Sequence, residues 1–96
     1  MGRTLAAAIG IASIAAAAVA SAEPPAGAAS CSGCHPASTR VTSPVPRLAG
    51  LDRAAIVRAM QDFRSGTRTA TVMDRIAKGL TDQEIQAIAA WYATQK

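Results

Sequence analysis

The chain has 96 residues, with ten Lys and Arg against six Asp and Glu and a formal net charge of +4. A chain of this length holds a single domain. The positive charge is modest, no dense basic run is present, and there is one Phe, one Trp and one Tyr. These features argue against a nucleic-acid-binding protein and weakly favour an acidic protein partner.

Residues 1–22 have the pattern of a secretory signal peptide. Arg3 is followed by an uncharged, Ala-rich run, and Ala20-Ser21-Ala22 forms a small-residue cleavage site. Cleavage after Ala22 is expected to release residues 23–96 into the periplasm as the mature domain. An uncleaved membrane anchor is the alternative, but the run is short and only weakly apolar for a span of about 20 residues.

The first long helix is predicted after a loop rich in proline and serine. This loop covers residues 36–50. Asp52 suits the N-cap position and Gly66 the exit, which predicts a helix from about Arg53 to Arg64. Its apolar stripe consists of Ile56, Met60 and Phe63.

A short helical turn over Asp74 to Lys78 and a final helix complete the prediction. Thr81 and Glu84 form a capping box at the start of the last helix, in which each side chain is expected to accept from the other residue's backbone N–H. The apolar stripe that follows contains Ile85, Ile88, Ala89 and Tyr92, with Trp91 beside Ile88. No alternating strand pattern occurs, so the fold is predicted to be all-α.

Residues 31–35, Cys-Ser-Gly-Cys-His, contain both cysteines and the only histidine of the chain. A thioredoxin-like dithiol needs a βαβ setting, which the sequence lacks. A structural zinc ion needs four ligands, and only three thiol or imidazole groups exist. A disulfide between Cys31 and Cys34 would close a very small loop and contribute little stability.

The spacing C-x-x-C-H is the motif for covalent attachment of haem c. Two thiols three residues apart on a helical turn reach two vinyl groups on one edge of the porphyrin, and the next imidazole meets the iron. A domain below roughly 70–80 residues usually needs a disulfide, a metal or another crosslink to be stable, and residues 23–96 are near this size. One covalently bound haem, which would form much of the core, would supply that stability.

The sixth iron ligand is inferred by elimination. Bis-His ligation within the chain is excluded because there is no second histidine. Met60 lies in an apolar helix stripe and is best explained as a core filler, whereas Met73 precedes a short helical turn and suits an axial ligand. Lys78 or an open position remains the alternative.

From Cys31 onward the chain resembles the class I cytochromes c, and more narrowly the cytochrome subunits of flavocytochrome c sulfide dehydrogenases. The resemblance is carried by CSGCH, by VPRLAG over residues 45–50, by MQDFRSG over residues 60–66 and by VMDRIAKGLTDQEIQAIAAWYATQ over residues 72–95. DFRSG followed by MDRIAKG is the most discriminating part.

This resemblance implies roles for further residues. Cys31 and Cys34 would form the thioethers, with His35 and Met73 as the axial ligands. The carbonyl of Pro46 would accept a hydrogen bond from His35 Nδ1. The haem pocket would be lined by Leu48, Phe63 and Tyr92.

The resemblance also implies a function. The chain would be a cytochrome subunit that accepts electrons from an FAD-containing flavoprotein and passes them to a soluble or membrane redox partner, with no substrate chemistry of its own. The alternative is a free, diffusible monohaem carrier with a basic docking face. A small zinc or disulfide module is the remaining hypothesis.

Overall fold

The computed structural model of the chain describes residues 2, 7, 9–13 and 23–96. The expected cleavage site, Ala20-Ser21-Ala22, lies outside these residues, and signal-peptide cleavage stays a prediction. All regular structure in the described residues is helical, which confirms the all-α prediction. The helices are α1 (Ala28–Cys31), α2 (Arg53–Ser65), α3 (Met73–Lys78) and α4 (Asp82–Thr94). None of these described helices has the length and apolar character that a membrane crossing requires.

Both long helices begin at the side-chain caps that the sequence predicts. The Asp52 carboxylate accepts from the Ala55 N–H at 3.1 Å, and the Thr81 hydroxyl accepts from the Glu84 N–H at 3.1 Å. The Glu84 carboxylate differs from the prediction, because it accepts from the Thr81 hydroxyl at 3.2 Å rather than from the backbone. A hydroxyl both accepts and donates, so Thr81 alone serves both halves of this cap.

The core lies where α2 packs against α3 and α4. All four residues of the predicted α4 stripe are buried, as predicted. The buried apolar residues are Ala28, Ile56, Ala77, Ile85, Ile88, Ala89 and Tyr92. Three of them are alanines, and no large side chain among the described residues is completely buried. The protein atoms alone therefore form a small core.

The predicted apolar stripe of α2 divides into two parts. Ile56 is buried, and Met60 is half-buried and packs against the core. Phe63 is also half-buried, and the Arg68 guanidinium lies 4.8 Å from its ring centroid in a cation–π contact. Met60 thus occupies the core-filler position that the sequence predicts, while one face of Phe63 is covered by a charged side chain.

Arg64 joins α2 to the connection between α3 and α4. Its Nη1 atom lies 2.5 Å from Asp82 Oδ1, its Nη2 donates to the Leu80 carbonyl at 2.6 Å, and its Nε donates to the Ala77 carbonyl at 3.4 Å. A planar guanidinium presents several donors in a fixed fork, which matches this set of acceptors. One side chain therefore fixes the α3–α4 corner against α2.

We expect Arg64→Ala to lower the free energy of unfolding by about 1–3 kcal/mol, because the Leu80 carbonyl and the Asp82 carboxylate lose the guanidinium donor. Urea unfolding of the mature protein, followed by circular dichroism, measures this. Arg58→Ala is the matched control, since Arg58 is an exposed arginine of the same helix, and it is expected to change stability by less than about 0.5 kcal/mol. Equal effects of the two substitutions would show that Arg64 does not fix this corner.

Candidate haem-binding site

Cys31, Cys34 and His35 lie on consecutive hydrogen-bonded turns that extend α1. The N–H groups of residues 32–34 each donate to the carbonyl three residues earlier at 3.2 Å, and the His35 N–H donates to the Cys31 carbonyl at 2.9 Å. Residues three apart on a helical turn share one side of it. The two thiols are therefore presented on one side, with the imidazole directly after them.

The two thiols lie in different environments and outside a thioredoxin-like fold. Cys31 is half-buried with its Sγ 3.7 Å from the Gly27 carbonyl, whereas Cys34 is exposed. Burial raises the pKa of the Cys31 thiol. All regular structure in the described residues is helical, so the cysteine segment lacks the βαβ setting that a thioredoxin-like dithiol needs.

The arrangement does not suit structural zinc either. Within residues 23–96, no three side chains of His, Cys, Asp and Glu come together as ligands for one metal ion. A structural zinc site needs four such ligands around a tetrahedral centre. This finding argues against zinc bound by the cysteine segment.

His35 is held in one tautomer by the loop that follows it. Its Nδ1 atom lies 2.6 Å from the Pro46 carbonyl oxygen. A carbonyl only accepts, so Nδ1 carries the proton and Nε2 keeps its lone pair. This is the hydrogen bond that the family resemblance implied, and it leaves the imidazole ready to bind a metal through Nε2.

Two further hydrogen bonds fix the loop over residues 36–50. Arg47 Nε donates to the Ala37 carbonyl at 2.8 Å, which closes the base of the loop. At its far end the Gly50 N–H donates to the Tyr92 carbonyl at 2.9 Å, where Gly50 has a φ of 78° that favours glycine. The loop that supports His35 is therefore attached to α4.

Tyr92 connects α4 to the segment that carries the cysteines. Its buried hydroxyl donates to the Ala28 carbonyl at 2.6 Å and lies 3.2 Å from the Ser32 hydroxyl. Ala28 and Tyr92 are 64 residues apart in the sequence. Tyr92 thus holds α1 in place, a role beyond the pocket lining that the resemblance implied.

A cavity of about 390 Å³ lies between the cysteine segment, the loop and the end of α4. Three of the predicted site residues line it, namely His35, Leu48 and Tyr92, together with Trp91. The other predicted site residues are not part of this lining, namely Cys31, Cys34, Pro46, Phe63 and Met73. The fold thus gathers part of the predicted site here, and the role of each lining residue in binding stays a prediction.

Met73 lies elsewhere in the fold, on the element that packs against α2. It is the first residue of α3 and is half-buried. One carboxylate oxygen of its neighbour Asp74 is buried without a hydrogen-bond partner. The predicted partnership of Met73 with His35 on one iron stays a prediction.

We expect Tyr92→Phe to lower the free energy of unfolding by about 1–2 kcal/mol, because the buried Ala28 carbonyl loses its donor. Thermal unfolding of the mature protein measures the change. Ser32→Ala removes only the longer contact of the same hydroxyl and should have a smaller effect. A Tyr92→Phe protein as stable as wild type would contradict the role of the phenol as an anchor.

Sequence reasoning assigned no role to the side chain of Arg47. Arg47 belongs to no apolar stripe, cap or ligand set. The one local feature that could have indicated a role is its position directly after Pro46, because the peptide bond between Pro46 and Arg47 contains the carbonyl that His35 contacts.

Comparisons with known proteins agree with the haem-attachment motif of this site. No family model matches the chain. It is 43% identical over 63 residues to the cytochrome subunit of sulfide dehydrogenase from Chlorobaculum tepidum, a match that covers 66% of this chain and 57% of that one. It is 40% identical over 65 residues to the thiosulfate dehydrogenase electron acceptor of Stutzerimonas stutzeri, covering 66% of this chain and 30% of that protein.

A third relative is matched over most of its length. Cytochrome c-554(548) of Halomonas halodenitrificans is 31% identical over 70 residues, which cover 69% of this chain and 84% of that cytochrome. The first two relatives are longer, and the chain spans about half and about a third of them. These relatives are all cytochromes or electron acceptors by name, and the described residues of this chain form a helical fold with a Cys-x-x-Cys-His turn. The chain belongs to the class I c-type cytochromes.

Proposed function

We propose that the chain is a periplasmic electron-transfer cytochrome with one haem bound covalently through Cys31 and Cys34. His35 and Met73 would be the side chains that hold its iron. The observation that carries this proposal is the 2.6 Å contact between His35 Nδ1 and the Pro46 carbonyl, directly after a turn that presents two thiols on one side. A histidine with its proton held on Nδ1 is prepared to ligate through Nε2.

The residues present fit a covalent haem. When bound, the haem supplies reversible one-electron chemistry at its iron. Cys31 and Cys34 tether it, and His35 provides the nitrogen donor. Leu48 and Tyr92 line the cavity and contribute apolar surface that keeps water from the site, and the family resemblance adds Phe63 to this set. Exclusion of water strengthens the effect of nearby charges on the reduction potential.

Met73 is the proposed second axial ligand. Met60 packs against the core, so its thioether has a structural use. Met73 begins a six-residue helix that packs against α2, and its backbone is therefore held in place. A His/Met ligand pair favours the reduced iron and suits electron transfer.

The proposed electron donor is an FAD-containing flavoprotein that oxidises sulfide. The similarity to a sulfide dehydrogenase cytochrome subunit supports this choice. In this arrangement the flavoprotein carries the substrate chemistry and the chain receives electrons singly. The second similarity, to a thiosulfate dehydrogenase electron acceptor, supports a sulfur-oxidising donor in either case.

A free carrier that docks through basic residues is the second candidate function. Several of the arginines are engaged within the fold, since Arg64 pairs with Asp82, Arg53 bonds Gln86 and Arg68 covers Phe63. Exposed basic side chains outside these contacts include those of Arg40, Arg58, Arg75, Lys78 and Lys96. Of the three engaged arginines, Arg64 is the one paired with a carboxylate, so most of the positive charge stays available to an acidic partner in either role.

Purification from the native host tests the proposed partner. The chain, tagged at Lys96 and purified at low salt, is expected to bring an FAD-containing protein with it, and sulfide should reduce the haem in that complex. A chain that purifies without flavin and exchanges electrons with several unrelated proteins in a strongly salt-dependent way would instead identify a free carrier.

A further inference from the structure

The loop after the Cys-x-x-Cys-His turn contains a closed ring of two hydrogen bonds. His35 Nδ1 contacts the Pro46 carbonyl at 2.6 Å, and Arg47 Nε donates to the Ala37 carbonyl at 2.8 Å. The two bonds run in opposite directions between the same two short segments, residues 35–37 and 46–47. Each bond therefore limits the movement of the other.

The covalent geometry connects the two hydrogen bonds. The Pro46 carbonyl and the Arg47 nitrogen belong to one peptide group, which is planar. Fixing the Arg47 side chain on Ala37 consequently restricts the direction in which the Pro46 oxygen points. Pro36, between His35 and Ala37, and Pro46 itself each have φ fixed near −65°, so few backbone rotations within the ring remain free.

Arg47 is also the side chain that suits this task. It is half-buried, and a guanidinium is charged at all relevant pH values, so its donor is always present. A hydrogen bond from a charged donor is stronger than one from a neutral donor. Other groups that face the loop, such as the Ser38 and Ser43 hydroxyls, bond only to backbone N–H groups within the loop.

We propose that Arg47 is a positioning residue for His35, which holds the Pro46 carbonyl on the imidazole and thereby sets the strength of His35 as an iron ligand. The inference rests on the proposed function in one respect, that His35 binds the iron. A firm hydrogen bond at Nδ1 raises the basicity of a ligating histidine. Loosening the bond weakens the donor and stabilises the reduced iron.

The exchange rate of the His35 Nδ1 proton with solvent, measured by NMR on the reduced protein, reports this bond directly. Arg47→Ala is expected to accelerate the exchange at least about tenfold, since opening of the ring becomes easier. Arg40→Ala is the matched control. Arg40 is an exposed residue of the same loop, and its replacement removes the same charge. It should leave the exchange rate unchanged.

Arg47→Lys separates geometry from charge. Lysine keeps the positive charge but lacks the planar Nε–H donor, so this variant should also accelerate the exchange and should raise the reduction potential above that of wild type. Arg47→Lys also provides the exchange measurement if Arg47→Ala does not fold. Haem content and the low-spin spectrum of each protein are recorded first.

The outcomes distinguish the inference from the proposed function. If both Arg47 variants retain haem and exchange the His35 proton at the rate of the Arg40→Ala control, the inference is wrong while the proposed function stands. An unchanged potential in Arg47→Lys contradicts the effect on ligand strength. A wild-type protein without haem would overturn the proposed function and the inference with it.

Discussion

A chain in which Cys31 and Cys34 are both replaced by serine is expected to be largely unfolded and to contain no haem. The reason is the small protein core. No large side chain among the described residues is completely buried, and three of the seven buried apolar residues are alanines. A domain of this size rarely obtains more than about 3–5 kcal/mol from its own core. Without the covalent tether the haem is expected to be lost, which leaves only that small core.

Far-UV circular dichroism and thermal unfolding of the purified double variant measure the effect. The expected result is low helix content and no cooperative transition. Ser30→Ala is a suitable control, because Ser30 is an exposed residue of the same short helix, and it should retain both haem and the transition. A double variant that is helical and unfolds cooperatively would contradict the view that haem completes the core.

Replacing Met73 with alanine is expected to keep the haem attached and to abolish the low-spin His/Met spectrum. The thioethers depend on Cys31 and Cys34, which the substitution does not touch. Loss of a thioether ligand removes a group that favours the reduced iron. The reduction potential should therefore fall by more than about 59 mV, which is a tenfold change in the equilibrium constant of a one-electron couple.

Met60→Ala is the matched control for the axial ligand. Met60 is half-buried against the core, so its loss should reduce the free energy of unfolding by about 1–2 kcal/mol, below the range for fully buried methionine. The spectrum should stay low-spin. If the two variants behave the other way round, the axial assignment is wrong, and a Lys78→Ala variant that alone loses the low-spin spectrum would assign that ligand to Lys78.

Local signals predicted most of the secondary structure. The caps at Asp52 and Thr81 and the glycine exit at Gly66 act through neighbouring atoms, and α2 and α4 begin where these residues predict. The short helix was predicted from Asp74 and begins one residue earlier, at Met73. Its N-cap makes no side-chain hydrogen bond, so no residue type marks that boundary in the sequence.

The contacts that join the elements were harder to predict because they link distant residues. The Tyr92 hydroxyl reaches Ala28, 64 residues away. Arg64 bonds the Leu80 carbonyl, 16 residues away. Backbone carbonyls carry no sequence signal, so residue patterns cannot identify them as acceptors. The sequence therefore predicted Tyr92 only as a residue of the apolar stripe and the haem pocket.

The candidate site likewise combines a local motif that the sequence predicts with contacts between distant residues that it does not. The Cys-x-x-Cys-His turn is a local motif, and its spacing alone predicted the attachment chemistry. The contact of His35 with Pro46 was predicted from the family resemblance, since the two residues are 11 positions apart and the segment between them contains no periodic pattern. The side chain of Arg47 contributes a single long-range hydrogen bond, and neither composition nor spacing marks it.

The intact mass of the exported protein, recorded after denaturation, shows whether a haem is covalently bound. We expect a single species that corresponds to residues 23–96 plus one haem, because the thioethers survive unfolding. A non-covalent haem would be lost under these conditions. A denatured chain whose mass corresponds to the polypeptide alone would contradict the covalent haem on Cys31 and Cys34, and with it the proposed role of the protein.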